Sequence, residues 1–522
     1  MNALAEVLPL EPVYDQARNN FEHIVGYLDS EEASSMTHSD LERELEKKGR
    51  ELMRILLQEH LEARGPGQCE QPVRGADGVE RSRVRLQERK IETVFGTVSV
   101  ERVGYGQEGR ESLHPLDAEL NLPDERYSFE LRRRVAEEAA KSSFDETLES
   151  IGKTTGGHVP KRQIEELVMR AAQDFDAFYE MRQGQLAVGE QKGSVMVISV
   201  DGKGVVMRRQ DLREQTRKAA IKREHKMGTR LSRGEKKNAK RMASVATVYT
   251  IAPFVRKPEA LVAENNSERA GPPRPYPEQK RVWASLEKTP EKVIEEAFKE
   301  AGYRDPGHKK NWVALVDGNK PQIRILRRMA KQKGLDLTLI VDVIHVIEYL
   351  WDAGRAFHPE ASSELEHWVR VRLLEILRGK AGYVAGGMRR SATRRSLLCA
   401  QRKPVDTCAN YLLTHAPYLK YNHYLSQGYP IATGVIEGAC RHLVKDRMEV
   451  TGARWSLTGA EAVLRLRALR SSHDFDQYWS FHEEQEYERN HSSLYAHGIV
   501  PPTFEPRKAQ ETHKRNHLKT IK

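Results

Sequence analysis

Two short apolar runs constrain this chain more than any other feature: VMVISVDGKG (Val195–Gly204) and NWVALVDGNK (Asn311–Lys320). Each reads as a strand that ends on Asp-Gly and delivers an aspartate, Asp201 or Asp317, toward a shared site. A third acid, Glu437, lies in ATGVIEGACRHLVKDR (Ala432–Arg447), which has the pattern of an amphipathic helix. Taken singly, Asp201-Gly202 also suits a hairpin turn, Asp317-Gly318 a plain strand exit, and Glu437 an exposed helix position. Their order, and the element to which each is tied, favour a common site.

The surrounding pattern supports a mixed sheet. Strands are expected over Ser194–Val200, Gly204–Met207, Ala243–Ile251, Trp312–Val316 and Leu337–Val341, with helices over Thr289–Ala301 and Gln322–Lys333. The order β-β-β-α-β-α-β is the RNase H-like succession: an α/β fold with a mixed five-stranded sheet in which the fourth strand lies beside the first. Neighbouring strands are about 4.8 Å apart, so aspartates at the ends of strands one and four can share a metal. Two Mg²⁺ (or Mn²⁺) ions about 3.5–4 Å apart need carboxylates from several directions, and a helix-borne glutamate closes such a cage. Asp201, Asp317 and Glu437 are thus the expected catalytic and metal-binding residues, for attack on a phosphodiester bond. Asp342 competes with Asp317, because it also ends an apolar strand and His345 follows one turn on. Asp317 is preferred because strand four neighbours strand one; Asp342 and His345 are then supporting groups or substrate contacts.

Charge points to the substrate. The chain carries a net +10, and Arg208–Arg241 alone holds 14 Lys and Arg against four acids, an excess equal to that of the whole chain. Such a block is either a solvated loop or a phosphate-binding footprint. On the second reading Arg217, Lys218, Lys222, Arg223, Lys236, Lys237, Lys240 and Arg241 contact DNA. Arg441 and Lys445 follow Glu437 at i+4 and i+8, on one α-helical face, where they suit a scissile phosphate or plain ion pairing. Lys161, Arg162 and Gln163 stand near the start of the third helix of a trihelical segment that suits a helix-turn-helix and, because Glu165 and Glu166 follow at once, suits a plain helical bundle or dimerisation element equally.

The 522 residues exceed a single core. The expected divisions are a helical and β-hairpin region (1–120), a trihelical region (121–190), the first part of the core (191–345), a helical insertion (346–427), the rest of the core with the Glu437 helix (428–485), and a basic tail (486–522). Residues 264–280 read as a loop. No signal peptide, membrane span, P-loop or CxxC pair is found, and the four cysteines suit a reducing cytoplasm.

Gly434–Ser472 (GVIEGACRHLVKDRMEVTGARWSLTGAEAVLRLRALRSS) closely resembles the C-terminal core of the ISKra-type insertion-sequence transposases, bacterial DDE enzymes. VSVERVGYG, LHPLDAELNLP (Leu113–Pro123), ISVDGKGV and LIVDVIHVIEYLW (Leu339–Trp351) fit the same family, and the resemblance covers roughly residues 90–485. It implies a DDE triad at Asp201, Asp317 and Glu437, cutting at transposon ends to free a 3′-OH, and attack of that 3′-OH on target DNA. It also implies DNA as partner, through inverted repeats and target duplex, and a homo-oligomer holding two ends in a bacterial cytoplasm. A plain RNase H-like nuclease would share the core without strand transfer; a catalytically silent DNA-binding protein would need no acid triad.

Overall fold

The computed structural model describes residues 14–185, 194–221, 239–262 and 273–503, which form two compact units. One comprises the chain through Asp174 together with Asp476 onward; the other is Phe175–Phe475.

The first unit begins with a helical hairpin, Asp15–Leu28 against His38–Arg64. Buried Glu59 on the second helix accepts from the backbone N of Gln16 (3.0 Å) and Ala17 (2.9 Å), satisfying orphan amides at the start of the first. Strands β1 (Arg83–Thr93) and β2 (Gly96–Gly106) form the expected antiparallel hairpin, and Ile91, Val98 and Val100 pack with Leu57 and Leu61. Helices Phe129–Lys141, Phe144–Thr154 and Lys161–Ala171 follow. Ser128 and Ser143 cap the first two, Ser143 with Glu146 in a reciprocal capping box. The helix Phe475–Asn490 completes the unit from Asp476, where Tyr478 Oη donates to the Ala171 carbonyl at 2.6 Å.

The second unit is α/β, with a mixed five-stranded sheet in the order β5-β4-β3-β6-β7. Its strands are β3 (Val195–Val206), β4 (Lys240–Ile251), β5 (Glu278–Ser285), β6 (Asn311–Val316) and β7 (Leu337–Val341). β3, β4 and β5 pair antiparallel, and β6 and β7 run parallel to β3. Val195–Val200 are buried without alternation, as in a strand covered on both faces. Pro290–Arg304 packs on β3 and β4, and Leu457–Ser471 on β5.

Two expectations about the strands change. Ser194–Val200 and Gly204–Met207 belong to one unbroken strand, because neither Gly202 nor Gly204 adopts a positive φ and β4 pairs along the whole length. The remaining strand is instead β5, part of which falls within the expected loop at 264–280. Between β7 and the Glu437 helix the chain is helical, as expected: Val343–Gly354, Ser363–Leu377, Ala381–Arg394, Cys399–His415 and Tyr421–Ser426.

Candidate metal centre

Register aligns three aspartates. β3 and β6 pair with Ser199 opposite Leu315, and β6 and β7 with Val316 opposite Val341. Continued by a residue or two, these registers set Asp201, Asp317 and Asp342 in one row across three adjacent strands. Asp342 N donates to the Val316 carbonyl at 2.8 Å, so the β6–β7 ladder does extend this far. β6 and β7 stop here while β3 continues along β4, so Asp201 lies where β3 loses a neighbour on one side.

Asp342 is fully buried and caps the helix Val343–Gly354. Its Oδ1 accepts from Ile344 N (3.0 Å) and Thr433 N (3.2 Å); its Oδ2 accepts from the Thr433 hydroxyl and lies 3.1 Å from His345 Nδ1. Burial pushes this carboxyl up, but the hydrogen bonds from His345, Thr433 and Ile344 outweigh it and hold it below its ordinary value. The same bond to Asp342 lifts His345 to about 9 despite partial burial, with the Asp342, Glu348 and Asp317 charges adding to the effect. Glu437 lies 3.3 Å from the Thr433 hydroxyl. Burial, then the charge of Asp342, raises its carboxyl.

Asp342, His345 and Glu437 each offer a ligand atom, all within 4.8 Å of one another, and this group can hold a metal ion. Two carboxylates and an imidazole suit Mn²⁺ or a softer divalent ion better than Mg²⁺, which favours oxygen alone. Asp201 and Asp317 are outside this group of three but border it. Cys440, three residues after Glu437, points its thiol at Asp201 Oδ2 (3.2 Å), and burial followed by the Asp201 charge raises that thiol's pKa. Asp317 Oδ1 accepts from Asn319 N (2.8 Å), its carbonyl accepts from Tyr411 Oη (3.0 Å), and its charge acts on His345. Thr433, which links Asp342 to Glu437, is absent from the sequence reading; only its place four residues before Glu437 could have signalled it.

The Glu437 helix is not a regular α-helix. Gly434–Ala439 is α-helical, but Cys440–Lys445 forms a π turn. Arg441 and Lys445 lie within this π turn, where the spacing is no longer that of an α-helix. Both are exposed, and Arg441 lies 3.8 Å from Asp446. The π turn leaves Cys440 facing Asp201 and buries Leu443 and Val444.

Most of the other expected DNA contacts that are described have partners within the protein. Lys161 pairs with Asp145 at 2.7 Å, and Arg162 and Gln163 both bond Glu166 (3.2 and 2.9 Å). Lys218 pairs with Glu214 (2.7 Å) and Lys240 with Glu449 (3.5 Å), while Arg217 is exposed. Arg241 serves the fold, donating to the carbonyls of Leu286 (2.8 Å) and Asp211 (3.0 Å). Lys222, Arg223, Lys236 and Lys237 lie outside the described residues.

A second group unforeseen in the sequence, Asp174, His482 and Glu486, is buried in the first unit. Guanidinium groups already neutralise it: Arg489 reaches Asp174 (3.0 Å) and Glu486 (2.8 Å), and Arg132 reaches Glu486 (3.1 Å). Among the described residues, no helix is long and apolar enough to cross a membrane. No protein-family model matches the chain, and no curated protein matches it.

Proposed function

We propose that this chain is a DDE transposase of the ISKra type with an RNase H-like core, which cuts DNA at element ends and joins the freed 3′-OH to target DNA. The observation that carries the reading is the row of Asp201, Asp317 and Asp342 across β3, β6 and β7, with Glu437 brought to the same end of the sheet. The strand order with β6 beside β3 is the one such a core requires. When bound, one or two divalent metals would supply charge neutralisation and an activated nucleophile. Asp342, His345 and Glu437 would hold such a metal, and Asp201 and Asp317 would add carboxylates beside them. Cys440 orients Asp201, and Thr433 orients both Asp342 and Glu437. DNA is the partner, engaged by a homo-oligomer that holds two ends.

The test is nicking and joining of a duplex carrying the element's own inverted repeats, in Mg²⁺ or Mn²⁺. Asp201→Asn, Asp317→Asn, Asp342→Asn and Glu437→Gln should each abolish cleavage and spare DNA binding. Cleavage by all four variants would overturn the proposal. Cleavage without joining would leave a plain nuclease.

A further inference from the structure

The helix Lys320–Gln332 follows Asp317 directly, its start capped by Asn319, whose backbone N is itself held by Asp317 Oδ1 at 2.8 Å. It contains no acidic residue. Lys320, Arg324, Arg327 and Lys331 stand at i, i+4, i+7 and i+11, within one narrow stripe of an α-helix. All four are exposed, as is Arg328, while Ile323, Leu326, Met329 and Ala330 are buried on the opposite side. Among the described residues Arg328 has an acid partner, Glu291, and Arg327 meets only the Tyr418 hydroxyl at 3.4 Å. The stripe is about 16 Å long, the axial rise of roughly five base pairs.

From this geometry we infer that the helix Lys320–Gln332 is a track for a nucleic-acid backbone leading to the aspartate row; the inference rests on the function proposed above. A polyanion cannot approach three carboxylates unless cations flank its path, and this stripe starts three residues from one of them. Its lack of acids separates it from an ordinary solvated face. The contrast is a groove of about 840 Å³ in the first unit, lined by Arg43, Lys47, Arg50, Arg54 and Lys153. There Glu46 and Glu51 interleave, and Arg50, Arg54 and Lys153 are already ion-paired.

The experiment measures binding of the full chain to random-sequence duplex and to single-stranded DNA, without divalent metal, across a salt series. The triple variant Arg324→Gln, Arg327→Gln, Lys331→Gln should flatten the slope of log K against log[salt] by about 2.7 on duplex, or about 2 on single strand. A matched variant, Arg43→Gln, Lys47→Gln, Lys153→Gln, should leave the slope unchanged. The single reversal Lys331→Glu gives a check that disturbs the helix least. If the wild type binds DNA salt-dependently and the triple variant keeps its slope, the track is overturned and the proposed function stands. If the wild type binds neither DNA form, both fall.

Discussion

Glu300→Gln should cost the second unit about 3 kcal/mol. Glu300 is 2% exposed on the helix Pro290–Arg304, between two equally enclosed arginines. Its Oε1 accepts from Arg304 Nε (2.8 Å) and Nη2 (2.5 Å); its Oε2 accepts from Gln183 (3.1 Å) and Arg281. Burial alone would raise this carboxyl, but the charges of Arg281 and Arg304 win and hold it at about 2 against an ordinary 4.5. A difference of about 2.5 pKa units is worth roughly 3 kcal/mol, the size expected when one member of a buried ion pair is removed. Gln keeps the shape and leaves two buried guanidinium groups sharing no anion. In a unit this large each kcal/mol moves Tm by about 2–4 °C, so thermal unfolding of the full chain should fall by roughly 6–12 °C. Because the folded pKa is depressed, the stabilisation is complete above 4.5 and is lost as pH falls toward about 2. The gap between wild type and variant should therefore close over that window. Exposed Glu149, paired with Lys153, provides the control, and Glu149→Gln should leave Tm in place. A loss below about 1 kcal/mol, or a gap that does not narrow with acid, would refute the reasoning.

Three further outcomes follow from the site. Gly318 has φ +91°, and a Cβ there would lie 2.8 Å from Tyr411 Oη, so Gly318→Ala should destabilise by about 1–3 kcal/mol in denaturant titration; wild-type stability would contradict the contact. His345 is raised to about 9, so its stabilising bond to Asp342 is full below about 6.5 and lost as pH rises through 9; in metal-free protein His345→Gln should flatten the decline in Tm over that range. Mn²⁺ binding followed by electron spin resonance should weaken about tenfold or more in Asp342→Asn and in Glu437→Gln; equal affinity in both variants would remove these residues from the ligand set.

Much of the sheet was legible because its central strands are plain apolar runs. β6 and β7 fall within a residue of their expected bounds, and the place of β6 beside β3 followed from element order. β5 was hidden because its interior contains Arg281, whose partner Glu300 lies on a different element and whose flat face rests on Tyr179, 3.4 Å from the ring centroid. A polar residue buried by a distant partner gives no local signal. Asp201-Gly202 showed the opposite failure: the dipeptide permits a turn, but pairing with β4 kept it extended. The weight given to Asp317 over Asp342 came from strand adjacency alone. Complete burial of Asp342, and its bonds to Thr433 ninety-one residues away, could not be read from either segment.

The π turn at Cys440–Lys445 works as a phase shift in a shaft. One extra residue within a helix advances everything beyond it by about 100°. Upstream the shaft aims Glu437; downstream it aims buried Arg447 over the Trp455 ring, 4.8 Å from its centroid. The extra residue lets these two ends be set separately. Deleting any one residue between 440 and 445 would restore a regular helix and force a choice, because either the acid or the arginine would rotate out of place. The segment should therefore accept substitutions more readily than any change in length.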